Sequence, residues 1–150
     1  IARKAGIFGM VGGQSLDVLL TDKPVNEKEM EFIFNLKTGA LIEAAFMAGA
    51  ILAGAGKECV SQLEKAGNLV GVAFQIKDDI LDVTSTQEVL GKPVFSDEKN
   101  NKTTYVTLYG MEKAAADVEN MSEKAESIVK SIGDNEFLIE LINKLISREK

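Results

Sequence analysis

The sequence predicts an all-α protein. Three observations carry that expectation. Apolar residues recur at helical spacing along most of the 150 positions, as in Leu69, Ala73, Ile76, Ile80 and Val83. The two prolines, Pro24 and Pro93, fall between such runs and not within them. No stretch alternates convincingly with the period of two that a half-buried strand requires.

The elements follow in order. Residues 2 to 20 read as one helix that ends near Thr21-Asp22-Lys23-Pro24. Asn26 is placed as an N-cap, and Glu29 three residues later completes a capping box. The second helix runs from Glu27 to about Ala53. Its weak point is Lys37-Thr38-Gly39, where the glycine loosens the backbone and the lysine can turn into a cavity. The apolar stretch around 39 to 56 is rich in Gly and Ala and carries Glu43, which suits a packed helix better than a membrane span.

The third helix runs from about Lys57 to Thr84. Gln75, Asp78, Asp79 and Asp82 lie at i, i+3, i+4 and i+7 and are expected to share one face. Residues 86 to 101, with Gly91 and Pro93, read as a long loop, and loops of that length in compact domains are usually functional or disordered. Residues 103 to 110, 111 to 131 and 134 to 147 read as shorter amphipathic helices. The last gathers Leu138, Leu141, Ile142 and Leu145 on one side.

Composition excludes several function classes. The chain is 45% hydrophobic and 27% charged, which is the balance of a globular protein. Its net charge of −6, with no basic cluster, excludes a nucleic-acid binder. An acidic surface repels anionic substrates, so a site for one must supply its own cations as lysines or metal ions. There is no histidine and a single cysteine, Cys59. That rules out a Ser-His-Asp triad, a Cys-His pair, a His-ligated zinc and an intrachain disulfide. A reducing compartment fits, and the expected location is cytoplasmic. The chain opens Ile1-Ala2-Arg3-Lys4, without a leader layout and without Met, which raises the expectation that an N-terminal part is missing.

The remaining chemistry rests on carboxylates, lysines, hydroxyls and amides. Three aspartates within Asp78-Asp79-Ile80-Leu81-Asp82 repel one another unless a cation neutralises them. Oxygen ligands in an open geometry suit Mg²⁺, which keeps several waters and shares its shell with phosphate oxygens. A solvated acidic face fits DDxxD about equally well in general. Here Gln75 extends the polar stripe, and Phe74, Ile76, Ile80 and Leu81 wall the helix in apolar material. Lys92 and Lys102 follow the acidic helix and are placed to close over a metal-bound diphosphate. Gln14 and Asp17 lie one turn apart amid apolar residues. Gly9, Gly12 and Gly13 beside them call for a closely packed neighbouring helix, whether or not the polar pair serves a site.

Taken together, GMVGGQSLDVL (9 to 19), KTGALIEAA (37 to 45), GVAFQIKDDILD (71 to 82) and LGKPVFSDEKNNKTTY (90 to 105) resemble the trans-type isoprenyl diphosphate synthases, the farnesyl and geranylgeranyl diphosphate synthase family. The resemblance implies an all-α isoprenoid synthase-type helical bundle. It implies that Asp78, Asp79 and Asp82 face the Mg²⁺-bound diphosphate of an allylic substrate, with Asp78 the foremost direct ligand and Gln75 beside them. Asp17 would join the metal cluster from the opposite side, with Gln14 next to it. Lys37, Lys92 and Lys102 would hold the allylic diphosphate, and Thr38 would help stabilise the developing allylic cation. The co-substrate would be isopentenyl diphosphate, and the intact enzyme would be a homodimer that does not span a membrane.

The family's first aspartate-rich motif, with its arginines, is absent from residues 1 to 150. The expectation is therefore the C-terminal half of a single all-helical domain, inactive alone. Two other readings are a non-catalytic small subunit of a heteromeric synthase and a head-to-head prenyltransferase or terpene cyclase. The intact DDILD and lysines argue against the first, and the LGKxxxxD and KxTY patterns argue against the second.

Overall fold

The computed structural model describes residues 1–84 and 103–148. It contains α1 (Ala2–Ala5), α2 (Met10–Leu19), α3 (Glu27–Ile33), a π-helical turn (Phe34–Gly39), α4 (Ala40–Leu52), α5 (Lys57–Thr84), α6 (Tyr105–Tyr109), α7 (Met111–Ile132) and α8 (Glu136–Ser147), with no strand among the described residues. The all-α expectation holds. Lys92, Lys102 and all of the expected loop, residues 86 to 101, lie outside the described residues.

The central element is α5, which packs along α4 on one side and α7 on the other. Its buried positions Leu63, Ala66, Val70, Ala73 and Ile76 step by three or four residues and form one stripe. Val70 and Ile76 are fully buried, and each such burial contributes about 1.5–3 kcal/mol. Two apolar clusters result. One gathers Val25, Met30, Ile33, Phe34 and Ile76; the other gathers Ala50, Leu63, Val70, Val129 and Ile142. Ile146 of α8 packs against both. Val83, expected on the apolar stripe, is exposed near the end of the helix.

The expected first helix is two helices. At Gly9 an added Cβ would lie 1.8 Å from the Lys4 carbonyl oxygen, so the chain folds back on itself where only glycine fits. The expected second helix is continuous but changes pitch in the π turn, at the predicted weak point. By length and composition alone the run Glu27–Leu52 could cross a membrane, with a mean hydropathy of 1.2. A third of that window is already buried in the bundle. Within it, Glu43 is buried and ion-paired with Lys4, as suits a helix packed in protein.

The capping box is present as read. Asn26 Oδ1 accepts from the Glu29 N–H at 3.1 Å, and Glu29 Oε2 accepts from the Asn26 N–H at 2.9 Å. Asn26→Ala should therefore lower stability by about 1 kcal/mol, read as a shift of the urea midpoint with unchanged m.

Candidate active site

Close backbone packing builds the site. Helix α2 crosses the π turn at Gly13, where a Cβ would lie 2.3 Å from the Lys37 backbone nitrogen. Helix α5 crosses it at Gly71, where a Cβ would lie 2.6 Å from the Gly39 Cα. The glycines of the GMVGGQ stretch thus divide their work. Gly13 admits the neighbouring helix, while Gly9 makes the turn before α2 and Gly12 lets the first turn of α2 pass close to the Ile7 carbonyl.

The π turn is pinned from α5. Asn68 donates to Asn35 Oδ1 at 2.9 Å and to Glu43 Oε1 at 2.6 Å. Lys4 joins Glu43 and also Glu64, the latter at 2.7 Å. Burial would lower the Lys4 pKa, but the two carboxylates hold it above the usual lysine value. Sequence reading missed this network; its one signal was Glu43 standing in an apolar run.

Held in this way, the π turn presents two side chains to its neighbours. Lys37 Nζ lies 2.5 Å from Asp17 Oδ2 of α2. The Thr38 hydroxyl donates to Gln75 Oε1 of α5 at 2.9 Å. Four residues singled out by sequence thus meet in two pairs across three elements. Asp17 and Asp79 also line one small cavity, about 20 Å³, walled by Met30, Ile33 and Phe34. Gln14, on the same helix, is exposed.

The three aspartates of DDILD do different things. Asp82 is buried, at 2% exposure. Asp79, at 6%, accepts a 2.7 Å hydrogen bond from the Tyr105 N–H at the start of α6. It thereby fixes the segment immediately after Lys102 against α5. Tyr105 is fixed a second time through its hydroxyl, which donates to Asp117 at 2.7 Å. Burial and that carboxylate push the Tyr105 phenol far above its ordinary pKa. Asp78 points toward α8, where Arg148 Nη2 lies 2.5 Å from its Oδ1. Residues 78 and 79 are neighbours in sequence and so point about 100° apart around the helix. The single acidic face expected from spacing is in fact spread over an arc.

No three acidic, histidine or cysteine side chains converge to hold a metal among the described residues. That arrangement still fits Mg²⁺, which takes one or two carboxylates and completes its octahedron with waters and phosphate oxygens. Asp78 already holds one cation, the Arg148 guanidinium, at a half-exposed position.

A bundle built around one long helix bearing DDxxD, with Lys-Thr set in a π turn opposite it, is the isoprenoid synthase fold. The chain belongs to the polyprenyl synthetase family, whose model matches residues 4–142. It is 37% identical to the farnesyl diphosphate synthase of Escherichia coli strain K12, an alignment covering 100% of this chain and 52% of that protein. It is 39% identical to the geranylgeranyl diphosphate synthase of Cyanophora paradoxa, covering 84% of this chain and 42% of that one. Among solved structures, heptaprenyl diphosphate synthase from Staphylococcus aureus superposes with a TM-score of 0.87 at 26% identity, over 96% of this chain and 57% of that chain. The chain spans about half the length of the relatives it matches.

Proposed function

We propose that the chain is the C-terminal half of a head-to-tail prenyltransferase domain of the farnesyl or geranylgeranyl diphosphate synthase type, and that it carries the wall of the site that receives the allylic diphosphate. One observation carries this reading: two carboxylate-bearing helices, α2 and α5, meet the Lys37-Thr38 turn in a mostly apolar setting. The half-domain reading also draws support from the shares of the relatives covered. Exposed Ile7 and Phe8 between α1 and α2, with Leu41, Ile51 and Leu52 on α4, suit burial by further helices.

In this reading Asp78, with Asp17 and Asp82, would hold Mg²⁺ together with the substrate diphosphate. The metal supplies Lewis-acid neutralisation of the leaving group. Lys37 then exchanges Asp17 for diphosphate oxygens and adds positive charge where negative charge develops. Lys92 and Lys102 are assigned the outer oxygens of the same group. Asp79 is assigned a positioning task, because its bond to the Tyr105 N–H anchors the chain just after Lys102. Thr38, oriented by Gln75, turns its oxygen lone pairs toward the allylic carbons as positive charge spreads over them. The apolar wall of Met30, Ile33 and Phe34 excludes water that would capture the cation. The π-bond of isopentenyl diphosphate attacks, and a proton leaves. The chain has no histidine, so the departing diphosphate is assigned as the base. The intact enzyme is read as a cytoplasmic, non-membrane-spanning homodimer.

Labelled isopentenyl diphosphate, geranyl diphosphate and Mg²⁺ test this directly. The 150-residue chain alone should form no prenyl product, while the full-length protein bearing these residues should. Turnover by the chain alone would refute the half-domain assignment. An inert full-length protein would refute the synthase assignment.

A further inference from the structure

The C-terminal arginine is seated on the aspartate that the proposed function assigns to the metal. Arg148 is one of two arginines in the chain and follows directly after α8. Its Nη2 contacts Asp78 Oδ1 at 2.5 Å and the Phe74 carbonyl oxygen at 3.2 Å. Its guanidinium carbon sits 3.6 Å from the centre of the Phe74 ring. The side chain is only 19% exposed, so it is stacked in place and not waving in solvent.

Two features mark the seat as one that can be vacated. Among the described residues, Arg148 Nε is buried with no hydrogen-bond partner, so the guanidinium is incompletely satisfied there. Helix α8, in contrast, is fixed by Ile142 and Ile146 in the core. Arg148 has already left the helix, with φ −56° and ψ 146°. Rotation of its side chain therefore frees Asp78 without disturbing the bundle.

A carboxylate oxygen engaged by a guanidinium is not available to a dication. We propose that Arg148 is an internal counter-cation that occupies Asp78 in the metal-free chain and is displaced when a divalent cation enters with a diphosphate. The inference rests on the site reading above and adds a competitor to it. Lys37 on Asp17 neutralises a second carboxylate in the same way, so each of these two aspartates carries a side-chain cation. Competition of this kind lowers the apparent metal affinity by the fraction of molecules in which Asp78 is free.

The probes are Mn²⁺ with inorganic diphosphate, followed by electron paramagnetic resonance on the full-length protein bearing these residues. Wild type should bind Mn²⁺ in a diphosphate-dependent way. Arg148→Gln, and a chain ending at Ser147, should each bind it about fivefold tighter, as expected when a competing partner of Asp78 is removed. Wild-type binding with unchanged or weaker affinity in both variants would overturn the inference and leave the site reading standing. No binding by any of the three chains would overturn both.

A second measurement follows the arginine itself. In a ¹⁵N-correlated spectrum of the full-length protein each arginine gives one side-chain Nε–Hε signal, and Arg148→Gln identifies that of Arg148. The signal lost in Arg148→Gln should carry the ring-current shift of Phe74. It should move to the free-arginine position when Mg²⁺ and diphosphate are added. A signal that stays in place while metal binds would also overturn the inference.

Discussion

Asn in place of Asp78 should cut the turnover of the full-length synthase on the order of a hundredfold or more. That is the scale of losing one preorganised contact to charge developing in a transition state. The substitution keeps the shape of the side chain and removes its charge. Its structural cost should be small, because the pair it breaks with Arg148 is 39% exposed on the aspartate side. Partly exposed pairs contribute about 0–1 kcal/mol. The measurement is a steady-state assay over a range of Mg²⁺ concentrations, paired with a thermal melt. A near-normal kcat would remove Asp78 from the metal site. A collapsed melting temperature would show that the aspartate serves the fold instead.

Ala in place of Gly71 should act through backbone packing. The added methyl would meet the Gly39 Cα at 2.6 Å and the Gly39 nitrogen at 3.1 Å. Neither atom can rotate away as a side chain can, so α5 and the π turn must separate. Overpacking of this kind costs about 1–3 kcal/mol. The separation falls one turn before Gln75, so the Thr38–Gln75 hydrogen bond should lengthen or break. Stability and kcat should therefore fall together in the full-length protein. Gly49→Ala is the control. Nothing lies within 4 Å of its Cβ position on α4, and removing a mid-helix glycine should stabilise by up to about 1 kcal/mol. If Gly71→Ala behaved like Gly49→Ala in denaturant, the close crossing would not set the geometry.

What the sequence disclosed depended on the separation of the partners. Asn26 and Glu29 are three residues apart, and their reciprocal hydrogen bonds followed from chain spacing alone. The 28-residue span of α5 also followed, since its buried stripe recurs at helical spacing from Leu63 to Leu81. Lys37-Thr38-Gly39 was legible as a weak point because glycine is a poor helix former. That the turn would be π-helical and held by Asn68 was not, because Asn68 lies 33 residues from Asn35. The fold-back at Gly9 was missed because three glycines in a helical pattern signal a close helix contact and a tight turn alike. Within DDILD, spacing suggested one shared face. The division of Asp78 and Asp79 between Arg148 and Tyr105 depends on contacts 70 and 26 residues away. Local periodicity says which way a side chain points, and only the assembled bundle says what it meets.

The π turn has a consequence for the helix that contains it. Met30 and Ile33, before the turn, pack in one apolar cluster, while Ile42, Phe46 and Ala50, after it, pack in the other. One continuous run of 26 residues therefore serves two cores whose directions an unbroken 3.6-residue spiral would not match. The turn works as a phase shifter, adding the angular offset of one residue between two segments that share an axis. Winding residues 34 to 39 into a regular α-helix of the same length would cancel that offset. Everything beyond it would rotate by about 100°, carrying Glu43 away from Lys4 and Asn68. The hydrogen-bond pitch of this turn sets the address of a whole helix, whereas a substitution elsewhere changes one contact. In this segment, backbone pitch is as strictly specified as residue type.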